Sequence, residues 1–87
     1  MNNRGCVKSV QRGTMDHRIL GPNDTTRIDI TNVNLDKSIL LLDYKLEGDG
    51  WIIFNLLSNA IVIKNPNTDP TSKTWVSGLS YQVVEFY

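Results

Sequence analysis

Eighty-seven residues, 40% of them hydrophobic and 21% charged, leave room for one core, so 1–87 reads as a single domain. Nine Lys+Arg balance nine Asp+Glu, and a formal net charge of zero argues against a nucleic-acid binder, which draws its affinity from a basic excess. A lone cysteine closes no disulfide within the chain, and no apolar run reaches the roughly 18 residues of a membrane span.

One Ala and two Glu stand against eight Ile, seven Val and seven Thr, so helix formers are scarce and β-branched residues abundant. The reading is all-β. Strands are expected at 5–12, 26–33, 37–46, 51–57, 60–64 and 75–87, with the spacing of an antiparallel β-sandwich or flattened barrel of six or more strands. Met1-Asn2-Asn3-Arg4-Gly5 holds no apolar stretch of signal-peptide length, so the chain is expected to be made in the cytoplasm. Lys8, Val10 and Arg12 alternate in a first strand that Gly13 is expected to end. Ile19-Leu20 is expected to enter the core just before a Gly21-Pro22-Asn23-Asp24 turn, where Pro presets φ and Asn/Asp cap their own backbone. Ile28 and Ile30 then point inward, with Arg27, Asp29 and Thr31 outward.

Ser38-Ile39-Leu40-Leu41-Leu42 breaks the alternation, which predicts a strand covered on both faces, by a loop of the same chain or by another subunit. Glu47-Gly48-Asp49-Gly50 reads as a hairpin turn from which Trp51-Ile52-Ile53-Phe54 returns. Ser58-Asn59 separates that strand from Ala60–Lys64, and two prolines make 65–72 a loop. In the last strand Gly78 suggests a bulge. That strand, running to Tyr87, is expected to keep the end of the chain within the sheet, with Val84 and Phe86 on one face and Tyr81, Val83 and Tyr87 on the other. An apolar strand of this kind aggregates unless a neighbour covers it. Ile39, Leu41, Tyr81, Val83 and Tyr87 are therefore the candidate interface of a homo-oligomer.

Chemistry-bearing constellations are sparse. A nucleophile–base pair needs a histidine within reach of Ser, Thr or Cys; His17 is the single histidine, Cys6 could pair with it in principle, and no G-x-S-x-G elbow surrounds either. No catalytic residue is assigned. Asp24, Asp43, Asp49 and Asp69 fall at turn-like or strand-end positions where Asp serves the backbone. No calcium-loop, Walker A, G-x-G-x-x-G, C-x-x-C or H-E-x-x-H spacing occurs, so neither metal nor cofactor is expected. Arg4, Arg12, Arg18 and Arg27 read as solvated strand faces, and Cys6 as a buried reduced thiol, with a bridge to another subunit as the alternative. Tyr44, Trp51 and Trp75, beside turns, are candidate surface-binding aromatics, with core packing as the competing role.

Val7-Lys8-Ser9-Val10-Gln11-Arg12-Gly13, Asp36-Lys37-Ser38, and Val76-Ser77 through Tyr81-Gln82-Val83-Val84-Glu85-Phe86 resemble small phage-encoded virion proteins. These run from K-S-V-Q-R-G to a closing V-S-[WY]-Q-V-V-E-F. The resemblance spans almost the whole chain and implies a non-enzymatic structural protein of the virion, decorating the capsid or sitting in the tail. It implies contacts with other capsid or tail proteins and assembly as a homo-oligomer, a trimer being favoured. The closing strand is also similar in style to the trimeric H-type lectin sandwich, which implies a receptor- or carbohydrate-binding tail-fibre module facing a host surface glycan. Tyr81 stands where many relatives of the first group carry Trp.

Overall fold

Alternating β-branched residues favour extended chain whose two faces meet different surroundings, and most of this chain is strand. The computed structural model describes residues 6–48 and 51–87. In chain order the strands are β1 (Val7–Met15), β2 (Arg18–Leu20), β3 (Thr25–Asp29), β4 (Ser38–Gly48), β5 (Ile53–Leu57), β6 (Ala60–Lys64) and β7 (Thr74–Phe86), with a 3-10 turn, Leu35–Lys37, leading into β4. All pairings are antiparallel and form two sheets. In the large sheet β7 is central, with β1 and then β2 along one side and β4 along the other. The small sheet runs β3-β6-β5. The fold is an all-β antiparallel sandwich.

The core lies between the sheets. Val76, Leu79 and Val83 of β7 and Leu20 of β2 meet Ile61 and Ile63 of β6, with Met15, Ile28, Leu40, Leu42, Phe54 and Leu56 packed around them. The small sheet has strands of five residues, about 17 Å at 3.3 Å per residue, whereas β7 has thirteen. The segment after β3 covers the remaining inner surface. There Val33 is buried, its N–H donates to the Ser58 carbonyl at 2.8 Å, and the Ile30 N–H donates to the Asn59 carbonyl at 3.1 Å. Ile30 does pack inward, but 30–33 hydrogen-bonds to the β5–β6 turn instead of extending β3 as expected.

Three turn expectations change. Gly13 does not end the first strand, because Tyr81 lies across it, and the missing Cβ is what lets the ring approach: a methyl there would sit 2.5 Å from Cζ. Glu47-Gly48 leads out of β4, but β4 pairs with β7 and β5 with β6, so the connection crosses between sheets and is no hairpin. Asp49, Gly50 and Arg4 lie outside the described residues. Gly78 does mark a bulge: its φ of +59° suits glycine, and the β4–β7 register shifts between Asp43 and Lys45 opposite it.

Polar pins close the two ends of the sandwich. At one end Gly21-Pro22-Asn23-Asp24 is a tight turn with Asn23 at φ 60°, closed by the Asp24 N–H on the Gly21 carbonyl at 3.1 Å. Beside it the buried Asn65 donates to the Leu20 carbonyl at 3.1 Å and to Ser72 Oγ at 3.3 Å. At the other end buried Glu85 accepts from the Asn34 N–H at 2.8 Å and from Ser9 Oγ at 3.3 Å, tying β1, β7 and the approach to β4 together. The Asn34 N–H holds its carboxyl below the usual carboxylate range against the opposing cost of burial, helped by Lys8, whose Nζ is 4.0 Å away.

Candidate functional site

Directly opposed residues of an antiparallel sheet share a face, so the register of β1, β7 and β4 defines what the large sheet presents on the side away from the core. Val7 opposes Phe86; Val10, Val84 and Ile39 form the next row; Arg12, Gln82 and Leu41 the third; Thr14, Ser80 and Asp43 the fourth. No described residue covers this face. Ile39 is 46% exposed, Leu41 47% and Val10 40%, while Val84 between them is 9% exposed. The apolar rows are continuous, which is unusual for a solvated sheet face.

Below them the surface dips into a recess of about 390 Å³, lined by Arg12, Thr14, Leu41, Asp43, Ser80 and Gln82 over the backbone of Gly13, Tyr81 and Leu42. The Arg12 Nε donates to Gln82 Oε1 at 3.2 Å, which draws the guanidinium over the middle of the sheet. No ion pair among the described residues engages Arg12 or Asp43. The recess therefore holds a cation and an anion on opposite flanks, above an aliphatic wall.

Of the residues expected at an interface, Ile39 and Leu41 lie open on this face and Tyr87 is exposed at the end of β7. Val83 is not available: it is 0% exposed, because the inner face of β7 is closed by the small sheet and the 30–34 segment. Tyr81 is half-buried over Gly13 on the same inner face and belongs with the core. Leu40 and Leu42 point inward, so the Ile39–Leu42 run is covered on one face only. Ile19 likewise lies exposed on the outer face beside Trp75, and only Leu20 enters the core.

The aromatic candidates do not converge. Tyr44 packs on Phe54 with ring centroids 4.7 Å apart, Trp75 is half-buried between Ile19 and Glu47, and Trp51 is 60% exposed. Cys6 is exposed, not buried as expected, since it lies just before β1 where its carbonyl accepts from the Tyr87 N–H at 3.1 Å. His17 follows β1 at its far end, and at 3.3 Å per residue the strand holds it about 35 Å from Cys6. That separation removes the Cys6–His17 pair as a catalytic couple. Asp24 and Asp69 serve the backbone: Asp24 Oδ2 accepts from the Gly21 N–H at 2.7 Å, and Asp69 Oδ1 from the Thr71 N–H at 3.0 Å, a bond that lowers the Asp69 carboxyl's pKa. Asp43, in contrast, lies in mid-strand on the open face.

Sequence reasoning missed the part of the site on β1, namely Val10, Arg12 and Thr14. Their signal was the alternation of Lys8, Val10 and Arg12, read as a wetted face without the partner strand that sets Val10 beside Val84. Compared with protein-family models, with curated proteins and with solved structures, the chain finds no match.

Proposed function

We propose that this chain is a non-enzymatic structural protein of a phage virion, a capsid-decorating or tail-associated subunit that works through protein–protein contacts on the open face of its large sheet. The observation that carries this reading is the row Val10–Val84–Ile39, with Val7, Phe86 and Leu41 beside it: contiguous apolar surface on which Val7, Val10, Ile39 and Leu41 lie exposed. Apolar patches rimmed by polar residues are typical of association surfaces. The virion setting is supported by the resemblance of the K-S-V-Q-R-G and V-S-x-x-x-Y-Q-V-V-E-F segments, which form β1 and β7, the strands that build most of this face.

Quantitative mass spectrometry of gradient-purified particles tests the reading. The chain should be present at a fixed stoichiometry to capsid or tail subunits, and replacing Ile39 by Glu should deplete it. Its absence from particles while abundant in infected cells would refute the role.

A second reading, adhesion to a host glycan, is favoured by the exposure of Trp51, since an open indole at a sheet connection is a stacking surface for a sugar ring. Saccharide titration read by tryptophan fluorescence distinguishes the two: a saturable change lost in Trp51→Ala supports adhesion, and a flat response supports the structural role.

A further inference from the structure

The geometry points to a second copy of this chain as the occupant of the open face, packed face to face about a two-fold axis parallel to β7, with Arg12 of each copy seated in the recess of the other. The inference rests on the contact function proposed above and specifies its first partner. β1 and β4 flank β7 on opposite sides. Turning a copy by 180° about an axis along β7 in the plane of contact lays its β1 over the other's β4. The row Val10–Val84–Ile39 then meets the same row reversed, so each Val10 faces the partner's Ile39. Arg12 comes to lie over the partner's Leu41, one row from the partner's Asp43, and same-face rows are only about 7 Å apart.

Three observations favour this occupant over an unrelated protein. First, the charges are self-complementary: Arg12 on the β1 flank and Asp43 on the β4 flank lack ion-pair partners among the described residues, and the two-fold supplies both at once. Second, the Arg12 Nε is held by Gln82, while its terminal guanidinium nitrogens make no hydrogen bond or ion pair among the described residues and are free to meet a carboxylate. Third, the size suits a homodimer. Three strands about 5 Å apart and a thirteen-residue β7 make a face of roughly 600 Å² per copy, and the resulting total of about 1,200 Å² reaches the lower edge of specific interfaces. The alternative two-fold, perpendicular to the strands, sets β1 on β1 and brings like flanks together.

Sedimentation equilibrium of the full chain from about 1 to 100 µM tests the arrangement. Wild type should pass from 9.8 kDa monomer to a species of twice that mass. Arg12→Asp and Asp43→Arg should each weaken the dimer tenfold or more, and the double exchange should recover it to within about threefold of wild type. Both side chains are exposed, so the variants report association and not folding, which circular dichroism verifies. A wild-type chain that stays monomeric, a trimer, or a double exchange no better than the single changes would overturn the two-fold. If such a chain is nevertheless incorporated into particles, the contact function stands and only the second copy is refuted; if it is also absent from particles, both fail.

Discussion

Val83 and Ile39 lie one row apart in the large sheet and face opposite ways, which allows a matched pair of substitutions to separate folding from contact. Val83→Thr keeps the side-chain shape but places a hydroxyl in the closed inner layer, among Leu40, Leu79 and the small sheet. A buried hydroxyl without a partner costs about 1–3 kcal/mol. In a chain of this size 1 kcal/mol moves Tm by about 4–8 °C, so a loss of about 4–24 °C, centred near 12 °C, is expected. Ile39→Thr keeps the branch at Cβ and hence the strand preference, and its side chain is already nearly half in water. For the dilute monomer its cost should stay within about 0.5 kcal/mol. Calorimetry or urea unfolding at about 1 µM reads both. If Ile39→Thr destabilises the dilute chain as much as Val83→Thr, the outer face is closed and the contact argument fails. If Val83→Thr is neutral, the assignment of faces along β7 is wrong.

Other substitutions test the frame that positions the face. The hydroxyl of Thr74 is buried with no hydrogen-bond partner among the described residues, so Thr74→Val should raise stability by about 1–2 kcal/mol in urea unfolding; a loss would mean that the hydroxyl is satisfied. Gly13→Ala puts a methyl 2.5 Å from the Tyr81 ring and should cost about 1–3 kcal/mol, a cost that Tyr81→Leu in the same chain relieves; thermal melts of the single and double variants decide it. Glu85 has a depressed carboxyl pKa in the folded chain, so its contribution is present above the pKa of the unfolded chain and is lost as pH falls through the folded value. Wild-type Tm should therefore drop on acidification through the carboxylate range more steeply than that of Glu85→Gln, and parallel curves would contradict the role of the Asn34–Glu85 bond.

Local alternation made much of this fold legible. Arg27-Ile28-Asp29-Ile30 announces its faces because each residue's surroundings repeat with period two. What failed was non-local. Glu47-Gly48 signals a change of direction, yet nothing in it says whether the next strand pairs with β4 or crosses to the other sheet. β2, three residues long, is too short to show a period and exists because Leu20 pairs with Thr74. The candidate face was half visible. That Ile39–Leu42 and 81–87 carry apolar residues on both sides is a property of the sequence, but which side is closed depends on the small sheet and on Val33. Hence Val83 and Tyr81, expected at the surface, belong to the core, whereas Ile39 and Leu41 stay open. Arg12 entered the site only when β1 was placed beside β7.

Thiol labelling at a single introduced cysteine, in a Cys6→Ser background, addresses the open face of the large sheet most directly. Leu41→Cys reports the outer face of the large sheet and Leu57→Cys the outer face of the small sheet, where Leu57 is also exposed. Position 41 should react freely in dilute protein and become protected at tens of micromolar, while position 57 reacts alike at both concentrations. Labelling at 41 that never slows, or protection that falls on 57 instead, would contradict the account.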